Sequence, residues 1–112
     1  MDSITKKLLS ITSVAIDVEH HDEDASIWIT AEVNNLTDKA QQAELTLVLQ
    51  CGDNQETISL IEVIEPGINS MESVVRILEL RQWESIEDCF LFVGLRCNDE
   101  VQDARQEKIK LV

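Results

Sequence analysis

Hydrophobic and polar residues alternate with a period of two along most of this chain. Val14, Ile16 and Val18 alternate with Ala15, Asp17 and Glu19. Ile27, Ile29, Ala31 and Val33 alternate with Trp28, Thr30 and Glu32, and Ala43, Leu45, Leu47, Leu49 and Cys51 with Glu44, Thr46, Val48 and Gln50. Successive side chains of a strand take opposite faces, so each run buries one row and wets the other. Turn-forming clusters at 21–24, 34–39, 52–55 and 65–70 separate the runs.

The pattern predicts strands near residues 11–19, 26–34, 43–51, 56–64, 71–78, 89–97 and 104–112. Seven short strands in about 100 residues define an all-β chain, an immunoglobulin-like or fibronectin-like antiparallel sandwich. Residues 1–10 read as a lead-in and 11–112 as the sandwich domain. Ile27, Ile29, Val33, Leu45, Leu47, Leu49, Leu91, Val93 and Leu95 are its expected core. Residues 70–81 also show helical spacing, at Met71, Val74, Val75, Leu78 and Arg81. The β-branched Val74, Val75 and Ile77, introduced by the Pro66-Gly67 turn, favour a strand there. Phe90 and Phe92 lie opposite Leu91, Val93 and Leu95, which marks a strand covered on both faces or one whose outer face meets a neighbour.

Charge narrows the range of partners. The 112 residues carry 22 acids against 9 bases, a formal net charge of -13. Such a field repels phosphates and anionic membranes, so neither nucleic acid nor a membrane is an expected partner. With 44% hydrophobic residues the chain is globular rather than disordered. The amino terminus lacks the sustained apolar stretch of an export signal, which reads as cytoplasmic for the chain as given.

Three cysteines make an odd count. Cys89 and Cys97 lie eight residues apart in one predicted strand, on one face but too distant to bridge. Cys51–Cys89 and Cys51–Cys97 remain open as bridges across two packed sheets. The reading preferred is three small, buried, reduced side chains. Without a C-x-x-C pair, structural zinc has no support.

Several short motifs resemble the immunoglobulin-like sandwich domain of glycoside hydrolase family 2, the group of the β-galactosidases, β-glucuronidases and β-mannosidases. Ile27-Trp28-Ile29 leads into Val33-Asn34-Asn35, followed by Ala43-Glu44-Leu45-Thr46-Leu47 as the next strand. Pro66-Gly67-x-Asn69, Leu80-x-x-Trp83, Leu91-Phe92 and Asp103 complete the similarity, which spans roughly residues 12–112. The resemblance implies a non-catalytic domain between a jelly-roll and a catalytic barrel. The family's catalytic glutamates belong to its barrel, so none is transferred to this chain.

Candidate chemistry is sparse. His20-His21-Asp22-Glu23-Asp24 is the densest cluster of ligand-type side chains. Neighbours in an extended segment point apart, so the cluster reads as an exposed hairpin turn, open to titration through its histidines. No serine or cysteine has a histidine placed to activate it, and no glycine-rich phosphate loop occurs. Trp28 falls on the row opposite Ile27 and Ile29, facing outward or towards a sheet edge. Trp83 reads as a loop residue plugging one end of the core. Asn35-Leu36-Thr37 is a glycosylation sequon, expected to be idle. No catalytic, cofactor-binding or metal-binding residue is assigned, and no cofactor is expected. The function expected is a non-catalytic accessory or spacer domain, with neighbouring domains or a protein as partner and a homodimer left open. The alternative is a free-standing acidic protein-interaction module.

Overall fold

The computed structural model describes residues 7–78 and 89–111. Within them the chain forms seven strands: β1 (Leu9–His21), β2 (Asp24–Asn35), β3 (Gln41–Cys51), β4 (Asn54–Ile64), β5 (Gly67–Ile77), β6 (Cys89–Cys97) and β7 (Glu100–Ile109). All seven expected strands are present, including 71–78, where β-branched packing prevails over the helical spacing. Trp83, and with it the expected core plug, lies outside the described residues.

The strands divide into two antiparallel sheets, ordered β1-β2-β5 and β4-β3-β6-β7. The fourth strand therefore pairs with the third, unlike the antibody constant-type division, where it joins the first sheet. Three tight two-residue turns set the registers of their hairpins. Asn98 and Asp99, at φ 53° and 63°, are both left-handed, the conformation a type I′ turn demands and asparagine tolerates. Asp22 and Gly52 open the other two turns at φ 54° and 61°.

Between the sheets lies the alternating apolar row. Ile27, Ile29, Val33, Leu45, Leu47, Leu49, Leu91, Val93 and Leu95 are all buried, as the periodicity predicts. Leu9, Met71, Ile77 and Leu111 join them. Burying side chains of this size contributes about 1.5–3 kcal/mol each, and ordering the chain opposes that gain.

The cysteines correct the reduced reading. Cys51 and Cys89 form a disulfide, with Cα atoms 4.3 Å apart. They are not on opposite sheets but are directly paired on adjacent strands β3 and β6. The period-two pattern places each on a buried face, yet only the β3–β6 register sets them opposite one another. Cys97 is the free thiol, and it is buried.

Candidate functional site

The β1–β2 turn carries the histidine-acid cluster away from the core. His21 Nε2 lies 3.6 Å from Glu19 Oε1, and Asp24 Oδ2 lies 3.6 Å from Arg76 Nη2. The cluster thus spreads along and across strands instead of converging. Among the described residues, no group of three or more His, Cys, Asp or Glu side chains is placed to hold a metal ion.

Asn35 has a different part from the one its sequon suggests. Its side chain is buried at 2% exposure where β2 ends. Nδ2 donates to the carbonyls of Lys39 at 2.9 Å and Ile64 at 3.1 Å. Oδ1 accepts from the Thr37 amide at 3.0 Å and the Thr37 hydroxyl at 2.7 Å. The sequon residues therefore tie the crossover from β2 to β3 onto the end of β4, and the amide nitrogen is committed inside the fold.

A second polar clasp joins the two sheets along the β1–β7 edge. Gln102 Oε1 accepts from the amides of Leu8 at 2.7 Å and Leu9 at 3.2 Å. Asp103 Oδ2 accepts from the Ile11 amide at 2.8 Å, and Arg105 Nη2 donates to the Ile11 carbonyl at 2.7 Å. Strand β1 shifts register between Ile11 and Ser13, so its backbone is released from the β2 ladder where the clasp takes hold. Sequence reasoning singled out Asp103 only through the family resemblance and passed over Gln102 and Arg105. Alternation marks Asp103 and Arg105 as residues on one face, but not as partners of a strand more than 90 positions away.

The two outer faces differ in charge. On β1-β2-β5, the outward rows bring Asp17, Glu19, Asp24, Glu32 and Glu72 against Arg76. Trp28 stands among them, 50% exposed, its indole N–H donating to Glu19 Oε2 at 3.2 Å. A shallow groove of about 600 Å³ runs beside it. Its outward orientation follows the alternation.

The outer face of β4-β3-β6-β7 is nearly neutral. From Gln50 to Glu44 along β3, the rows paired with β4, β6 and β7 carry one carboxylate, Glu44 itself. Val48, Phe90 and Phe92 lie on this face, and Phe92 is 37% exposed although β6 is an interior strand. The reading of β6 as a strand with apolar residues on both faces is matched, and its outer face is uncovered. A depression of about 420 Å³ lies there, walled by Thr46, Val48 and Phe92 with Gly94 at its floor.

The described residues form an antiparallel two-sheet sandwich held together by two polar clasps. Solved structures share this fold. A Bacteroides fragilis protein assigned as a β-galactosidase matches with a TM-score of 0.78 and 15% identity, over 92% of this chain and 17% of its own. The exo-chitosanase of Amycolatopsis orientalis matches with a TM-score of 0.76 and 14% identity, over 93% of this chain and 13% of its own. A β-glucuronidase from glycoside hydrolase family 2 matches with a TM-score of 0.70 and 15% identity, over 92% of this chain and 12% of its own. No family model matches the chain, and no curated protein matches it in sequence. The fold is thus the immunoglobulin-like sandwich found in these glycoside hydrolases, and the chain spans less than a fifth of their length.

Proposed function

We propose that this chain is a non-catalytic accessory domain of the glycoside hydrolase family 2 kind, a rigid spacer that orients neighbouring domains. The observation that carries the reading is one of proportion. The sandwich accounts for nearly the whole of this chain and only 12–17% of the enzymes that share it. Hydrolysis of a glycosidic bond needs two carboxyl groups facing each other across the scissile bond, about 5–10 Å apart. Here the acids are distributed over turns, outward rows and the edge strands β4 and β7, and the mouth of the Trp28 groove is shallow. The β1–β7 clasp and the β2–β3 tie suit a spacer, since both hold the two sheets rigidly together at one end of the sandwich. The alternative of a free-standing acidic interaction module draws no support from these three neighbours.

Purified chain incubated with a panel of aryl β-glycosides is expected to release no aglycone above buffer. Turnover that scales with protein through successive columns, and disappears in a single Asp or Glu variant, would overturn the proposal.

A further inference from the structure

Gly94 is a glycine that the fold does not require. It lies in the middle of β6, an interior strand, and its backbone is not left-handed. A Cβ built there would meet only the Thr46 carbonyl oxygen, at 4.0 Å, an ordinary contact distance. Glycine within a strand weakens it and marks either a bulge or close approach by something outside the sheet. The β6–β7 ladder shifts register between Leu95 and Arg96, but Gly94 itself stays in register with Ala104 on one side and Thr46 on the other. The depression over Gly94 opens on the one broad face of this acidic protein that is nearly free of carboxylates. Two independent features, the unforced glycine and the neutral face, therefore coincide.

We infer that this face is a docking surface for a second copy of the same chain, packed face to face about a two-fold axis. Such an interface must be self-complementary. Phe92 and Gly94 are neighbours on one face of β6, about 7 Å apart along the strand. An axis lying in the interface, across the strands and midway between them, seats each Phe92 ring in the other copy's Gly94 notch. The same operation sets Phe90 over Arg96, a ring facing a guanidinium. It sets Glu44 over Gln50, so the face's one carboxylate meets no like charge. Elsewhere two copies, each at -13, repel. The face is four strands wide and about seven residues long, roughly 400 Å² a side at ordinary strand spacings. That is the scale of weak, reversible association, below the roughly 1,200 Å² total of a stable interface.

Sedimentation equilibrium of the whole chain tests this. The mean mass is expected to rise towards twice the monomer between about 0.1 and 1 mM, as for an interface of this size. Raising the salt from roughly 0.05 to 0.5 M should strengthen association, because it screens the net charge while the docked face is neutral. Gly94→Thr fills the notch with a good strand former; it should melt no lower than the parent yet weaken association at least tenfold. Phe92→Ser should do the same, and it stands in if Gly94→Thr fails to fold. Trp28→Ala, on the opposite sheet, should leave association unchanged. A chain that stays monomeric at about 1 mM in high salt overturns the inference. So does undiminished association of both face variants, or loss of association in Trp28→Ala.

Discussion

Asp103 of β7 accepts a hydrogen bond from the backbone amide of Ile11 in β1, at 2.8 Å, although the two residues belong to different sheets. The same carboxyl accepts from the Ala104 amide at 2.9 Å and lies 3.5 Å from the Lys7 ammonium. Burial by itself would raise its pKa; the two amides and Lys7 outweigh burial and hold the carboxyl below its ordinary value. A carboxyl depressed on folding adds stability that is complete above its unfolded value, near ~3.9, and is lost as pH falls through the folded value. Asp103→Asn is therefore expected to cost about 1–2 kcal/mol at neutral pH, with the gap from the parent closing as pH falls through the lowered carboxyl value. Urea melts of both proteins across that range decide it. A gap that stays constant down to pH 2 would show that the charge is not its source.

The crossover tie rests on a single buried amide. Asn35→Asp removes the two Nδ2–H donors to Lys39 and Ile64 and leaves a carboxylate beside their carbonyls. An expected loss of about 2–4 kcal/mol follows from orphaned buried acceptors and an unpaired buried charge. Thermal melts against the parent measure it. Expressed through a eukaryotic secretory pathway, the folded chain should carry no glycan at Asn35; a mass increment removed by an amidase would contradict the buried placement.

Cys51 and Cys89 close a loop across a sequence separation of 38 residues. Tying a loop of that length restricts the unfolded chain and is expected to contribute about 2–4 kcal/mol. Replacing both cysteines by alanine should lower the denaturation midpoint accordingly. Burial pushes the Cys97 thiol upward from its ordinary value. Without reductant, a thiol reagent should therefore label one cysteine, and only after the chain unfolds. Three rapidly labelled thiols in the native protein would refute the pairing.

Trp28, half exposed on the outer sheet face, should contribute little to stability despite its size. Its neighbours across the strands are Asp17 and Val74, and its indole N–H bonds a surface carboxylate. Trp28→Ala is expected to shift stability by no more than about 1 kcal/mol, the range of an exposed cross-strand contact. A loss of about 3–5 kcal/mol in a denaturant melt would place the ring in a packed environment instead.

The alternation of apolar and polar residues determined the strands, the turns between them and the identity of the core. Side-chain direction in a strand is a local property, and a run such as Ala43 to Cys51 displays it without reference to any other segment. Trp28 pointing outward and Ile29 inward follow from the same rule. What alternation could not supply was the pairing of segments. It showed Cys51 and Cys89 as buried positions but not as opposites, because the β3–β6 register depends on how both strands meet the rest of the sheet. It placed Asn35 in the turn after a strand, but the carbonyl of Ile64 reaches its amide only once β4 is in place on the far sheet. Asp103 and Ile11 are separated by almost the whole chain, and nothing local to Gly94 sets Thr46 and Phe92 around it. Contacts across sheets and faces arise from the collective packing of all seven strands, and only the tertiary structure decided them.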